Sequence, residues 1–379
     1  MSKRSNGEGT VRQRPNGTWE ARLSYIDPMT GKRRRASFYG PTAEAARAEL
    51  DNARDRIKAN APVKDSAQTL GDYIEHWLDT ALEASPRKDS TKALYRNLAT
   101  KHLSPAPLGL TPLSKLRKTH IDGLIVALRK RGLSDSTVRQ VYTVLRAVLD
   151  DAKLDGLVAD NPATKVPRPR IARQEARHLT APEVAAVLGA ADGLRYAAVL
   201  ILIASTGLRR GEALALRWDA VDLEAGTAKI AATLGRVGGE LTITEPKTTR
   251  SRRTVPLSPA VVKVLKAQRA GQAAEQLKAG DQWQNSGLVF TNEFGGPVDP
   301  RNLLRTIEIA AKKAEIENVG VHTLRHSAAV AWLEAGVHIK AVADLLGHSS
   351  IAVTGDIYGH STDAMARAAI DSLSSALGL

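Results

Sequence analysis

The chain of 379 residues contains no cysteine, so neither a disulfide framework nor a thiolate metal site contributes to its fold. Long apolar runs are missing too. The longest aliphatic stretch, Ala197 to Ala204, is far short of the ~20 residues that cross a bilayer and reads as a buried helix. The opening residues Met1-Ser2-Lys3-Arg4-Ser5-Asn6-Gly7 lack the apolar centre of a secretory signal, and no internal repeat or low-complexity tract stands out. Acids are under-supplied: 40 Asp and Glu face 54 Lys and Arg, a formal charge of +14. These absences argue against a disulfide-rich secreted domain and against a membrane protein, and they make a cytoplasmic location the expectation. The surplus positive charge asks for a polyanionic partner, nucleic acid before an acidic membrane surface.

The length suits two or three domains, and 43% hydrophobic residues support globular folding throughout. The pattern predicts strands over Thr10–Arg14, Thr18–Ile26 and Lys32–Tyr39, separated by Pro15-Asn16-Gly17 and Asp27-Pro28-Met29-Thr30-Gly31, residues that hairpin loops require. A helix over Thr42–Lys58 follows, capped by Thr42. Residues 1–40 hold nine Lys or Arg against three acids. Arg12, Arg14, Arg22 and the run Lys32-Arg33-Arg34-Arg35 are therefore candidate DNA contacts of a small sheet able to enter a major groove. The competing reading is a solvated edge whose charges discourage aggregation.

Residues 69–160 show apolar spacings of three and four that predict four helices: Leu70–Leu82, Thr91–His102, one around Ile121 to Leu128 closed by Gly132, and one around Val138 to Leu149 closed by Gly156. A proline-stiffened basic stretch follows, in which Arg168, Arg170 and Arg173 are placed to track a phosphate backbone. Thr180-Ala181-Pro182-Glu183 predicts a capping box. It opens a third region with helices near 181–191, 194–206 and 210–216, β-segments at Thr227–Leu234, Leu241–Thr244 and Arg253–Leu257, and helices again from Ala260. The expected domains are 1–61, 67–163 and 178–379, with a linker at 164–177.

The chemistry-bearing residues lie in the third region. Arg209 stands in Thr206-Gly207-Leu208-Arg209-Arg210-Gly211-Glu212, and His322, Arg325, His348 and Tyr358 fall within 37 residues. A phosphodiester under attack accumulates charge on its non-bridging oxygens, which guanidinium forks match. Tyr358 is a candidate nucleophile, although a phenol with a pKa of about 10 needs nearby cations or a base to react at neutral pH. Lys247, in a loop between predicted strands, is a candidate general acid for the departing oxygen. His322 and His348 offer proton transfer or hydrogen bonds, with protonation expected near neutral pH. His322 and His326, four apart, have zinc-ligand spacing, but Arg325 lies between them and opposes a cation. The scheme calls for no metal and no cofactor. Taken singly, each residue has a plain structural reading: a surface arginine, a packing tyrosine.

The ordered set resembles the tyrosine recombinases, specifically the phage-type integrases. Thr206-Gly207-Leu208-Arg209-x-x-Glu212 looks like the first arginine motif of that family, and His322-x-Leu324-Arg325-His326 looks like the second. Lys247 lies where the family has its hairpin lysine, and Leu346-Gly347-His348-Ser349 and Tyr358-Gly359-His360 complete the pattern. The resemblance implies a multidomain protein: a small three-stranded β-sheet plus helix that binds arm-type sites, an all-α core-binding domain, and a mainly α, α+β catalytic domain. It implies that Arg209, Lys247, His322, Arg325 and His348 activate a phosphodiester that Tyr358 attacks to form a 3′-phosphotyrosine, with Glu212 in support.

Site-specific recombination that inserts and excises a phage or other mobile element is then the expected function. Double-stranded DNA with core-type and arm-type sites is the expected partner, and a homotetramer passing through a Holliday junction the expected assembly. A recombination directionality factor and a host DNA-bending protein are further candidate partners. A resolvase of chromosome or plasmid multimers shares the chemistry, a non-cleaving DNA-binding regulator shares the fold, and a type IB topoisomerase is a chemical relative. The C-terminal stripe Met365, Ala369, Leu373 and Leu377 at spacing four suggests a helix that packs on its own domain or on a neighbouring subunit.

Overall fold

The computed structural model describes residues 10–26, 33–58, 68–171, 177–245, 252–348, 350–351, 354–355, 370–371 and 374. The chain divides into two units, Met1–Arg173 and Gln174–Leu379.

The first unit opens with an antiparallel sheet of β1 (Thr10–Gln13), β2 (Trp19–Ile26) and β3 (Arg33–Gly40) in that order. The β1–β2 turn runs through Pro15 and Asn16, closed by Gly17 N–H on Arg14 O at 2.9 Å, and Gly17 takes a φ of 82° that glycine adopts without strain. Alternation along β2 and β3 buries Ala21, Leu23, Ala36 and Phe38 against Ala46, Leu50 and Ala53 of helix α1 (Ala43–Lys58). The register pairs Thr10 with Arg22, Arg22 with Ser37, Ser24 with Arg35, and Ile26 with Arg33. Arg12, Arg22, Arg33 and Arg35 therefore share the face turned away from α1, while Arg34 alternates to the other face. The basic run is split by the pleat.

A separate helical core follows, with α2 (Leu70–Asp79), the single turn α3 (Ala81–Ala84), α4 (Asp89–His102), α5 (Lys118–Lys130) and α6 (Asp135–Leu154). Four helices were expected and five form. The predicted Leu70–Leu82 helix breaks at Thr80, whose hydroxyl donates back to His76 O at 2.7 Å and whose backbone leaves helical geometry. Trp77 and Tyr73 are fully buried yet lose no polar contact: Trp77 Nε1 donates to Asp151 and Tyr73 Oη to Asp155, both at 2.5 Å. Gly132 and Gly156 follow α5 and α6 with φ of 76° and 71°, the left-handed geometry that ends a helix. The expected linker begins as part of this core, because Val166 is buried in it and Tyr142 Oη donates to the carbonyls of Ala163 and Val166.

The second unit is organised around α8 (Ala197–Thr206), apolar on all sides and therefore central. Before it stands α7 (Ala181–Ala190), opened by the reciprocal Thr180–Glu183 capping box. After it come α9 (Arg210–Leu214), β4 (Val221–Asp222), β5 (Thr227–Ile230), β6 (Thr233–Val237), β7 (Glu240–Thr244) and β8 (Arg253–Pro256). Last come α10 (Pro259–Ala279), α11 (Pro300–Lys313), α12 (Val321–Glu334) and α13 (Ile339–Leu346). The predicted segment Thr227–Leu234 is two strands in different sheets: β5 lies between β4 and β8, and β6 pairs with β7. Between the predicted strands Thr227–Leu234 and Leu241–Thr244 the chain turns only at Gly238-Gly239, with φ of 58° and 94°, a tight primed hairpin turn. Among the described residues no helix is long and apolar enough to cross a membrane.

Candidate active site

Two glycine corners build the site. Gly207 ends α8 at φ 63°, and its N–H closes on Ile203 O at 2.9 Å. The corner releases Arg209 in extended geometry as the residue just before α9. A Cβ on Gly207 would sit 2.8 Å from Leu346 Cδ2 and 3.1 Å from Trp332, so the corner is closed to side chains as well as left-handed. Gly347 ends α13 the same way at φ 65°, and His348 follows it.

Arg325, on α12 and 5% exposed, joins the two corners. Its Nη1 donates to Gly207 O at 2.5 Å and its Nη2 to Leu346 O at 2.9 Å. Nη2 also lies 2.9 Å from His348 Nε2. A guanidinium only donates, so His348 Nε2 carries the lone pair and Nδ1 carries the proton, which points at Thr354 Oγ1 2.8 Å away. Burial, followed by the charges of Arg325, Arg209 and Arg253, pushes the His348 pKa down to about 4. The expectation of protonation near neutrality is thereby corrected: a buried imidazole beside three guanidiniums stays neutral at pH 7.

Arg209 is partly exposed. Its Nη1 donates to Glu212 Oε1 at 2.8 Å, its backbone N–H to Glu212 Oε2 at 3.0 Å, and its Nη2 to Gly347 O at 3.1 Å. Glu212 is 4% exposed. Burial works to raise its pKa, but the ion pair and hydrogen bonds to Arg253, then Arg209, outweigh it and leave the carboxyl below its ordinary range. Gly211 allows this packing, since a Cβ there would meet Thr233 Oγ1 at 2.4 Å and Leu234 O at 2.6 Å.

His322 and His326 are one turn apart on α12 with Arg325 between them. His322 is the solvent-facing one, and partial desolvation, then Arg210, Arg325 and Arg209, lower its pKa. His326 is lowered by burial first, then by His322, Arg325 and His178. Among the described residues no three His, Cys, Asp or Glu are grouped to hold a metal ion.

Arg209 is thus brought beside Arg325 and His348, which follow it more than a hundred residues later, with His322 one turn before Arg325 on α12. Lys247 and Tyr358 lie outside the described residues, as do Lys32, Arg173 and the stripe Met365, Ala369, Leu373 and Leu377. The DNA-contact candidates Arg12, Arg14, Arg22, Arg33, Arg34 and Arg35 are exposed, but Arg12 and Arg22 both bind Glu20 at 2.9 Å. Glu20 is 2% exposed, and the Arg22 hydrogen bond foremost holds its carboxyl down to about 2. Arg14 lies over the Tyr39 ring at 5.4 Å. Arg168 and Arg170 are exposed, with Arg168 3.5 Å from Thr143 Oγ1. Sequence reasoning missed Arg253 and Thr354. Arg253 resembles any strand arginine, and nothing in its neighbours in sequence signals that it reaches Glu212.

A family model for the phage integrase family matches residues 177–365. A tyrosine recombinase XerC-like protein of Caldanaerobacter subterraneus subsp. tengcongensis is 31% identical over 341 residues, 85% of this chain and 87% of the relative. An integrase of Streptomyces ambofaciens is 31% identical over 369 residues, 93% of this chain and 92% of that one. In fold, the chain is similar to the Tn1549 transposon integrase solved with circular intermediate DNA (TM-score 0.66, 21% identity, 81% of this chain and 99% of that one). It is similar also to the lambda integrase dimer bound to a COC′ core site (TM-score 0.59, 17% identity, 95% and 98%). With the glycine-cornered arginine pair and these relatives in view, the chain belongs to the phage integrase family of tyrosine recombinases, enzymes that cleave and rejoin DNA strands.

Proposed function

We propose that the protein is an integrase that inserts and excises a phage or other mobile element by way of a 3′-phosphotyrosine. The observation that carries this reading is the convergence of Arg209, Arg325 and neutral His348 on two glycine corners. Such fixed donors stabilise charge that develops on phosphoryl oxygens, a contribution of roughly 2.7–4 kcal/mol per donor in other enzymes. The Tyr358 oxygen bonds to phosphorus, the bond to the 5′ oxygen breaks, and the Lys247 ammonium gives that oxygen its proton. His322, on the exposed side of α12, receives the phenolic proton, while His348, its Nε2 lone pair held by Arg325 and its Nδ1 proton turned to Thr354, stays neutral and keeps Arg325 in place. The phosphotyrosine conserves the energy of the broken bond, so rejoining proceeds by reversal with no nucleotide cofactor.

In this reading residues 67–163 grip core-type sites together with the catalytic region 178–379, a tetramer carries the exchange through a Holliday junction, and residues 1–61 read arm-type sites. The basic sheet face of Arg12, Arg22, Arg33 and Arg35 supports the last assignment, as do the integrase relatives that cover nearly the whole chain. The XerC-like relative favours a second reading, resolution of chromosome or plasmid multimers.

The test is a nicked suicide duplex with the core site, incubated without metal or nucleotide and run on a denaturing gel. A covalent band with the native chain and none with Tyr358→Phe is expected, while an adduct that persists in Tyr358→Phe removes the assignment. Deleting residues 1–65 separates the two biological readings. Loss of arm-site binding with core-site binding retained supports the integrase, and unchanged affinity at every site supports the resolvase.

A further inference from the structure

The last turn of α13 exposes three successive carbonyls, and three arginines from different parts of the chain occupy them: Arg253 Nε on Leu345 O at 2.6 Å, Arg325 Nη2 on Leu346 O at 2.9 Å and Arg209 Nη2 on Gly347 O at 3.1 Å. A helix C-terminus offers unsatisfied acceptors and the negative end of the macrodipole, so cations gather there. Arg209 and Arg325 already have proposed roles on the phosphate. Arg253 has none, although it is the most enclosed partner of Glu212, with side chains 8% and 4% exposed and Nη2 2.9 Å from Oε2. It also packs beneath the second corner, where a Cβ on Gly347 would come within 2.7 Å of its Nη1.

We infer that Arg253 is a positioning residue for strand cleavage, locking the Glu212 carboxylate and the α13 terminus into one frame so that Arg209 and His348 face the same phosphate. Glu212 holds Arg209 at both its backbone N–H and its guanidinium, so whatever orients Glu212 orients Arg209. The other end of Arg253 fixes the carbonyl three residues before His348. One guanidinium therefore ties the Arg209 corner, through Glu212, to the end of α13. Lysine cannot replace it, because a single ammonium cannot reach Leu345 O and both carboxylate oxygens in the fixed directions of a guanidinium fork. Displacement of catalytic groups by about 1 Å costs on the order of 10²-fold in rate.

The inference rests on the strand-cleavage reading, and the native chain serves as its control: no adduct from the native chain defeats that reading, whereas the variants address Arg253. Single-turnover adduct formation on the nicked duplex, DNA affinity and thermal midpoint are measured for Arg253→Lys, Arg253→Met, Glu212→Gln and the double variant Glu212→Gln/Arg253→Met. The expected result for Arg253→Lys is a folded protein that binds the duplex within about threefold of the native chain and cleaves about 10²-fold more slowly. The double variant is expected to cleave no more slowly than the slower of the two single variants, because Arg253 acts through Glu212 and the two losses share one link. Overturning results are cleavage by Arg253→Lys within threefold of native, a cleavage loss matched by an equal loss of binding, or additive losses in the double variant.

Discussion

The outer face of the N-terminal sheet and the glycine-cornered site both consist of arginines around a buried carboxylate, and they are built to opposite ends. On the sheet, Arg12 and Arg22 close over Glu20 from solvent, with side chains 55% and 47% exposed. In the catalytic unit, Arg325 and Arg253 are almost wholly enclosed, and their guanidiniums are spent on backbone carbonyls and on Glu212. An exposed cation rearranges at little cost and suits contact with a phosphate backbone whose exact placement matters less. An enclosed one is already aimed, which is what stabilising a transient charge requires.

The most severe break in this comparison comes from Arg325→Ala. It removes the Arg325 donors from Gly207 O, Leu346 O and His348 Nε2 together with the positive charge beside the phosphate, and adduct formation is expected to fall by roughly 10²–10³-fold or more. Arg22→Ala leaves cleavage of a core-site duplex unchanged. Equal losses from the two substitutions, measured in the same single-turnover assay, erase the distinction.

Next in size is the backbone that aims the enclosed arginines. Gly211→Ala pushes a methyl into Thr233 and Leu234 O of β6 and is expected to cost about 1–3 kcal/mol of stability in denaturant unfolding. Gly123→Ala, in α5 with open space at its Cβ, is expected to stabilise by about 0.4–1 kcal/mol. A reversed order defeats the packing argument.

A smaller separation appears with acid. His348 has a folded pKa of about 4 against an ordinary 6.5, so between those values the unfolded chain binds the proton and the folded one does not. Stability is full above pH 6.5 and declines as pH falls toward 4. His322 and His326 act in the same direction. Glu20, held at about 2 against 4.5, withdraws its contribution only as pH falls from 4.5 toward 2. Hydrogen exchange across a pH series is therefore expected to show the catalytic unit loosening before the N-terminal sheet. His348→Asn should remove part of the earlier transition, and simultaneous loosening contradicts the assignment.

The smallest effect belongs to the exposed arginines. Arg22→Gln or Arg35→Gln should weaken arm-site binding about equally across sequences and lower the salt slope by about 1. A change confined to one base position, read from competition binding, would instead make that side chain a base reader.

Much of this was legible beforehand for reasons particular to the residues. Thr180 and Glu183 form their capping box because the required atoms lie within one turn. Gly132 and Gly156 take positive φ at the helix ends expected of them, where glycine alone carries no Cβ penalty; Gly207 and Gly347 do the same at the ends of α8 and α13, which the sequence reading did not foresee. The α2 break at Thr80 and the parting of β5 from β6 were not legible, because each turns on a competing hydrogen bond or a distant strand partner.

What the sequence determined by itself was local or ordered. It set most of the helical segments, the glycines that close α5 and α6, the surplus of positive charge, and the succession of arginine, histidine and tyrosine motifs from which the family could be named. The tertiary structure decided the rest: that Arg34 leaves the basic face, that His348 is neutral with its proton on Nδ1, and that Arg253 reaches across 41 positions to Glu212. Dihedral preferences and capping act within a turn of the chain, so sequence order encodes them. Burial, ion pairing and pKa depend on which distant groups exclude water together, and only the folded chain brings those groups within reach.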